Sequence, residues 1–372
     1  MISLDVTSFY NAGAGGIRSY YQAKARWLPE RGVECHFVVP GPTASTERLA
    51  GGWLHRVPGP PVGADYRVFG DLGGLRRIIR EIDPDVVELG SHYLLPQLVR
   101  PALRRGQPVV GFYHADVAAT YVAPPLDRAH LPRWLRRLAT DAAWGLVRHQ
   151  HARYAATLTG SHGLAATLTA RGVPGVRWVG LGVDTTRFQP RPGPRTGRVG
   201  YLGRWARDKE LDVLLAAAAT IRATTDARLV IAGRGPLAPA VAAAARRGLV
   251  EAVGLVPAAA VPTFLTDLDA LVVPGRYESF GLAAAEAMAC GVPVIAPDRG
   301  GAAELVTGAD AGVTFAAGSA AGLAAAVATV QAAPIDRRRA WGANGRAAVV
   351  RALTWPQVCA RIHAVYAGLG RC

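Results

Sequence analysis

The stretch Pro274–Val306, PGRYESFGLAAAEAMACGVPVIAPDRGGAAELV, restricts the fold of this chain more than any other segment. Leu271-Val272-Val273 reads as a short buried strand ending at Pro274, and the Ala-rich run after Phe280-Gly281-Leu282 reads as a helix. Gly291-Val292-Pro293 stops that helix, and Val294-Ile295-Ala296 starts a second strand. Strand, loop, helix and strand in so few residues form the crossover unit of a parallel sheet. Two carboxylates mark it, Glu278 in the loop and Glu286 inside the helix. A helix N-terminus leaving a parallel sheet presents unpaired N–H groups and a positive dipole end, which suits a phosphate. A carboxylate about two turns further in can accept hydrogen bonds from the vicinal hydroxyls of a ribose. On the residues alone the alternative stays open, with both glutamates solvated and the glycines merely making turns.

The same alternation runs through the chain twice. In the first half, strands are expected at Ile2–Val6, Glu34–Val39, Pro84–Leu89, Val109–Tyr113 and Thr157–Gly160. Helices are expected from Ile17 to about Arg31, from Leu94 to Arg105, and from about Ser161 to Arg171, with a loop through Gly13-Ala14-Gly15-Gly16 before the first. The second half restarts at Val199–Leu202, with a helix over Leu211–Thr224 and a strand over Arg228–Ala232. Such alternation implies mostly parallel sheets covered on both faces. A polar, turn-rich stretch separates the halves, so the expected division is a domain over 1–181, a hinge at 182–197, a domain over 198–350 and a terminal segment 351–372. A final helix is expected at Trp355–Leu369.

The chain has 372 residues, half of them apolar, enough for two ordinary cores. No apolar run approaches the ~20 residues of a membrane-spanning helix. Met1–Asp5 has no basic region followed by an apolar core, and Cys35, Cys290, Cys359 and Cys372 are scattered without zinc-type pairing, so the cytoplasm is the expected compartment. The formal charge is +15, and all 42 basic residues except Lys24 and Lys209 are arginine. Such a balance suits phosphates, acidic lipid surfaces or nucleic acid, and charge does not choose among them. Without any helix-turn-helix, zinc-finger, KH or RRM pattern, nucleic acid is not an expected partner.

Arg204-Trp205-Ala206-Arg207-Asp208-Lys209 directly follows the first strand of the second half. Strand-to-helix loops of this kind face the crevice where ligands bind in doubly wound folds, and Arg204 with Lys209 would neutralise a diphosphate. Gly233-Arg234-Gly235 ends the next strand, and Gly15-Gly16 precedes a helix; each alone is better read as a turn than as a ligand contact. His114 ends the strand 109–113 and Asp116 follows, a pattern that on its own is more often structural than catalytic. No Ser-His-Asp hydrolase arrangement is present, and His92, His149, His151 and His162 lack the company of metal ligands.

With these motifs the chain resembles the family-4 retaining glycosyltransferases over nearly its whole length, most strongly in its C-terminal half. The resemblance implies the α/β GT-B fold, two Rossmann-like doubly wound domains facing a central cleft, with Gly182-Val183-Asp184 and Phe188-x-Pro190 linking the lobes and a last helix crossing back. It implies transfer of a hexose, mannose or glucose favoured, from a nucleoside diphosphate sugar to a lipid-linked or saccharide acceptor, without a cofactor or metal. Arg204 and Lys209 would hold the donor phosphates, Glu278 the sugar hydroxyls and Glu286 the ribose. Ser279, Phe280, Gly281 and Leu282 would line the donor, and the Gly233-Arg234-Gly235 and Gly254-Leu255-Val256 loops would approach the nucleotide. Gly15 and Gly16 would lie beside the diphosphate, His114 would face the donor sugar, and Asp116 would lie on the acceptor side. Glycine often follows the lysine in such enzymes, whereas Glu210 follows it here. The choice between guanine and uracil stays open. So do a nucleotide-sugar epimerase or hydrolase of the same fold and a catalytically silent nucleotide-sugar-binding partner.

The segment 128–153 mixes arginines with Trp134, Leu138, Trp144, Leu146 and Val147. Trp134, Leu138 and Leu146 are expected on one apolar face flanked by Arg133, Arg136 and Arg137. A basic amphipathic helix with tryptophan suits an anionic membrane surface, here the inner face of the plasma membrane, and equally suits packing onto the first lobe with solvated arginines.

Overall fold

The structure is a computed structural model that describes residues 1–372 apart from 11–14, 63–65, 91–94, 115, 123–125, 127, 128, 130, 192, 194, 195 and 370–372. Expectations that fall on Gly13, Ala14, His92, Leu94, Arg128, Pro194, Arg195 and Cys372 lie outside the described residues. The chain divides into two compact units, Met1–Gly182 with Trp355–Cys372, and Val183–Thr354.

The first unit contains β1 (Ile2–Val6), β2 (Glu34–Gly41), β3 (Ser45–Leu49), β4 (Gly52–Pro58), the hairpin strands β5 (Pro61–Val62) and β6 (Tyr66–Arg67), β7 (Val86–Leu89), β8 (Val109–Tyr113), β9 (Ala156–Thr159) and β10 (Val176–Trp178). Its main sheet runs β10-β9-β8-β7-β1-β2-β4-β3, parallel except for the antiparallel edge pair β3–β4. Alternate residues feed two cores. Leu4, Val6, Val38, Val87 and Leu89 pack under the helices Leu72–Ile82 and Leu95–Val99. Cys35, Phe37, Val110, Phe112 and Leu158 pack under Gly16–Trp27 and Trp355–Gly368. The second unit contains β11 (Arg198–Leu202), β12 (Arg228–Ala232), β13 (Glu251–Gly254), β14 (Ala270–Val272), β15 (Val294–Pro297) and β16 (Gly312–Phe315). These form one parallel sheet in the order β13-β12-β11-β14-β15-β16. That is the doubly wound order whose direction reverses between β11 and β14, and ligands bind outside the carboxyl ends of the strands at such a reversal.

Several elements stop earlier than their patterns predict, and proline is the reason. The first helix ends at Trp27 and continues as a 3₁₀ turn over Pro29–Arg31, because Pro29 has no N–H to offer the Ala25 carbonyl, which accepts from the Gly51 N–H at 2.9 Å instead. The helix expected up to Arg105 is only Leu95–Val99, passing into a 3₁₀ turn at Arg100–Ala102 around Pro101. The two passages of chain between the units run side by side. The Val183 N–H donates to the Leu353 carbonyl at 2.7 Å, and Gly182 leaves no room for a Cβ, which would lie 2.4 Å from the Trp355 ring.

Candidate functional site

The loops that follow β11 and β14 meet at the carboxyl edge of the second sheet, beside the reversal of strand order. The Tyr201 hydroxyl donates to the Arg204 carbonyl at 2.5 Å and fixes the start of the first loop. Gly233 and Gly235 bring the loop after β12 against it. The Trp205 N–H donates to the Arg234 carbonyl (2.8 Å), and a Cβ on Gly233, at φ +137°, would lie 1.9 Å from the Gly203 carbonyl oxygen. This backbone contact accounts for the two glycines, while Arg234 between them is exposed. Gly233 also donates to the Gly254 carbonyl at 2.7 Å, next to exposed Leu255 and half-buried Val256.

Arg204 is half exposed and pairs with Asp208. Lys209 reaches the second loop, its Nζ 2.5 Å from Glu278 Oε1. Burial works to lower the Lys209 pKa, but Glu278 beside it outweighs burial and leaves it raised, so the ammonium stays charged. Gly301 donates to the Glu278 carbonyl at 2.6 Å, and Phe280 is buried, anchoring the loop. Half-buried Ser279 lies between Glu278 and Phe280. Gly281, at φ +89° and pressed against Ala302, turns the chain into the helix Leu282–Ala289, whose N-terminus has no side-chain cap. Its first N–H groups therefore lack intrahelical partners and present a partial positive charge. Glu286 lies one turn further in. Among the described residues its carboxyl has no hydrogen-bond partner, and burial pushes its pKa up to about 7, with Arg187 acting weakly the other way. An ammonium, an open helix N-terminus and an unpartnered carboxyl thus share one sheet edge.

The remaining candidates belong to the first unit. Gly15, at φ +118°, is the uncapped N-terminal residue before the helix that starts at Gly16. His114 follows β8, stacks on Phe112 (ring centroids 4.1 Å apart) and lies against Gly90. Burial lowers its pKa to about 4, so the imidazole is neutral at pH 7, able to hydrogen-bond and carrying no fixed positive charge. Asp116 is half-buried two residues on.

A buried polar network in this unit escaped the sequence reading. Asp5 and Glu88 stand opposite each other on β1 and β7, both in the core. Lys24 lies between them, ion-paired to Asp5 and 3.3 Å from Glu88 Oε2. The Lys24 ammonium also donates to the Tyr366 hydroxyl (2.7 Å), which donates to Glu88 (2.6 Å), and the Tyr20 hydroxyl donates to the same carboxylate at 2.9 Å. Burial raises Asp5 well above the usual carboxylate range. Burial also works to raise Glu88, but Lys24 and its hydrogen-bond donors leave it lowered, so Asp5 is the stronger base of the pair. The available signal was Lys24 itself, a lysine on the buried face of a helix in an arginine-rich chain.

The helix in the basic segment spans Arg133–His151. Trp144 and Val147 pack into the core, whereas Trp134, Leu138 and Leu146 are 66%, 62% and 64% exposed. Among the described residues no helix is long and apolar enough to cross a membrane, and no three potential metal ligands cluster.

Comparison with known proteins matches residues 14–187 to the model of Glycosyltransferase Family 4 and 183–348 to that of Glycosyl transferases group 1. A GDP-mannose-dependent alpha-mannosyltransferase of Mycolicibacterium smegmatis is 35% identical over 79% of this chain and 76% of that protein. A GDP-mannose-dependent alpha-(1-6)-phosphatidylinositol dimannoside mannosyltransferase of Mycobacterium tuberculosis is 30% identical over 96% and 93%. Among solved structures, sucrose-phosphate synthase of Thermosynechococcus elongatus superposes with a TM-score of 0.81 at 20% identity, covering 99% of each chain. HepE of Anabaena, solved with UDP and glucose, gives 0.72 at 17% identity, covering 98% of this chain and 99% of that one. These likenesses establish two Rossmann-like domains of GT-B type.

Proposed function

The chain belongs to the family-4 glycosyltransferases, and from that premise we propose that it transfers mannose from GDP-mannose, with retention and without a metal, to a lipid-linked or saccharide hydroxyl. The observation that carries this reading is the contact of Lys209 with Glu278 beside the open N-terminus of the helix bearing Glu286. Lys209, Arg204 and the helix N–H groups hold the diphosphate, Glu278 takes the sugar hydroxyls and Glu286 the ribose. Ser279, Phe280, Gly281 and Leu282 form the wall between them, and the loops at 233–235 and 254–256 approach the base. On the first unit, Gly15 and Gly16 are assigned to the diphosphate, neutral His114 to the donor sugar and Asp116 to the acceptor side.

The bond from the anomeric carbon to the diphosphate oxygen breaks with its electron pair going to that oxygen. Lys209 and Arg204 stabilise the charge that develops there. The acceptor oxygen bonds the same face of the carbon and passes its proton to the departing phosphate oxygen. Two-carboxylate glycosidase chemistry is not implied, since Glu286 serves the nucleotide rather than the anomeric carbon. The mannosyl donor is supported by the GDP-mannose dependence of the relatives from Mycolicibacterium smegmatis and Mycobacterium tuberculosis.

The test is turnover of GDP-mannose and UDP-glucose with a membrane-lipid extract as acceptor, with and without EDTA, followed by NMR of the product's anomeric proton. An α-mannosyl lipid formed equally well with EDTA is expected. A β-product, or absolute dependence on a divalent ion, contradicts the reading. Release of free mannose with no acceptor product would favour a hydrolase instead.

A second observation bears on the acceptor. Trp134, Leu138 and Leu146 are exposed on a helix that also carries Arg133, Arg136 and Arg137, the last 86% exposed. This face suits peripheral attachment to an anionic bilayer, where a lipid-linked acceptor resides. Co-sedimentation with anionic vesicles at moderate salt, reduced in a Trp134→Ser/Leu138→Ser variant, is expected; equal sedimentation with and without vesicles refutes attachment.

A further inference from the structure

We propose that Glu210 is a positioning residue that clasps the donor loop Gly275–Phe280 through Arg276 and so presents Glu278 to the sugar; the inference rests on the donor-site reading above. Glu210 has φ +48° and ψ 34°, a left-handed conformation that glycine adopts freely and a glutamate adopts only against strain. A side chain kept at such a position is held there by its contacts. Glu210 is 7% exposed, and its carboxylate grips one residue at two points. Oε2 accepts from the Arg276 backbone N–H at 2.8 Å and Oε1 from the Arg276 Nε–H at 2.6 Å. Holding backbone and guanidinium together fixes both the position and the direction of the loop.

The clasp works with its neighbours. Lys209 and Glu210 are adjacent, and they reach Glu278 and Arg276, alternate residues of the facing loop. Gly275 approaches the Lys209 backbone so closely that a Cβ would lie 3.3 Å from its carbonyl oxygen. On its far side the Arg276 guanidinium lies over Gly318, where a Cβ would come within 1.9 Å of it. The Arg276 and Glu278 carbonyls in turn lie against Gly300, and Gly301 donates to Glu278. The loop bearing Glu278 is therefore held between three segments, and Glu210 supplies its bidentate hold on the β11 side. Glutamate at this position keeps the backbone turn that glycine would give and adds a contact that glycine lacks.

The experiment compares wild type with Glu210→Gln, which cannot accept at both points, and Glu210→Gly, which also relieves the backbone strain and so guards against a variant that fails to fold. Calorimetric titration with GDP and with GDP-mannose, and hydrogen exchange over residues 275–281, are read in each. GDP affinity should stay within about twofold, while the advantage of GDP-mannose over GDP falls about tenfold. Exchange across the loop should quicken in both variants, with the Gly variant melting no lower than the Gln variant. Arg276→Met should reproduce the loss and add nothing to it in the double variant. Equal weakening of GDP and GDP-mannose would mean a merely structural role and would overturn the proposal, as would unchanged loop exchange. If wild type binds neither nucleotide, the donor-site reading fails, while exchange still decides the clasp.

Discussion

Substituting glutamine for Glu286 removes a carboxyl whose pKa burial raises from an ordinary 4.5 to about 7. Each tenfold change in proton affinity is worth about 1.4 kcal/mol, so keeping this group ionised in the folded protein costs about 3 kcal/mol. The native state holds the proton more tightly than the unfolded chain. Wild-type stability therefore falls as pH rises through the window from 4.5 to about 7, and the full cost persists above it. Glutamine has the same shape and no charge to desolvate. Glu286→Gln should be more stable than wild type by about 1 kcal/mol at pH 5, rising to about 3 kcal/mol at pH 8. Urea denaturation of both proteins at pH 5, 6.5 and 8, without ligand, measures the difference. The same variant should lose donor affinity, because an amide cannot accept from both ribose hydroxyls as a carboxylate does. A difference that is flat with pH, or a variant less stable than wild type at pH 8, would mean that the carboxylate is already paired and not waiting for a ligand.

Lys24→Met should destabilise the protein by about 3–5 kcal/mol, since it leaves Asp5 and Glu88 buried without their cation; denaturant midpoints report it. Gly233→Ala should cost about 3 kcal/mol or more, because its Cβ would strike the Gly203 carbonyl at a left-handed φ, and thermal melting reads the loss. His114, charged only below about pH 4, should contribute no limb to the kcat/KM profile between pH 5 and 8. His114→Gln should therefore lower the rate without moving the acidic limb near 7 that belongs to Glu286, and a limb that vanishes in this variant would contradict the neutral imidazole.

What could be read from the sequence follows physical range. The unit β14, Glu278 loop, helix Leu282–Ala289, β15 was legible because short apolar runs, Pro274, Gly281 and Gly291 act over a few residues. The helix Leu211–Thr224 was read to the residue for the same reason. The edge strand β3 and its neighbour β4 were not read: β3 is largely exposed and polar, and in β4 the successive pair His55-Arg56 between buried Leu54 and Val57 breaks the period of two. The helix Leu72–Ile82 was also missed, although Asp71 caps it with a hydrogen bond to the Gly74 N–H, because two glycines interrupt its first turn. Arg204, Lys209 and Glu278 were singled out by residue type in loops after strands, and Glu286 by its place inside the helix that follows. Their pairings were not, since Lys209 meets Glu278 across 69 residues and Lys24 meets Tyr366 across 342. Glu210 is instructive in the other direction. By type it departs from the glycine that often follows this lysine, yet the backbone adopts the conformation glycine would take.

Calorimetric titration of GDP-mannose and UDP-glucose into wild type, with a folded Lys209→Ala/Glu286→Ala double variant as control, tests most directly whether the edge of the second sheet is a nucleotide-sugar site. Micromolar binding of GDP-mannose, tighter than that of UDP-glucose and lost in the double variant, is the predicted result. Binding that survives in the variant, or no binding of either donor by folded wild type, would contradict it.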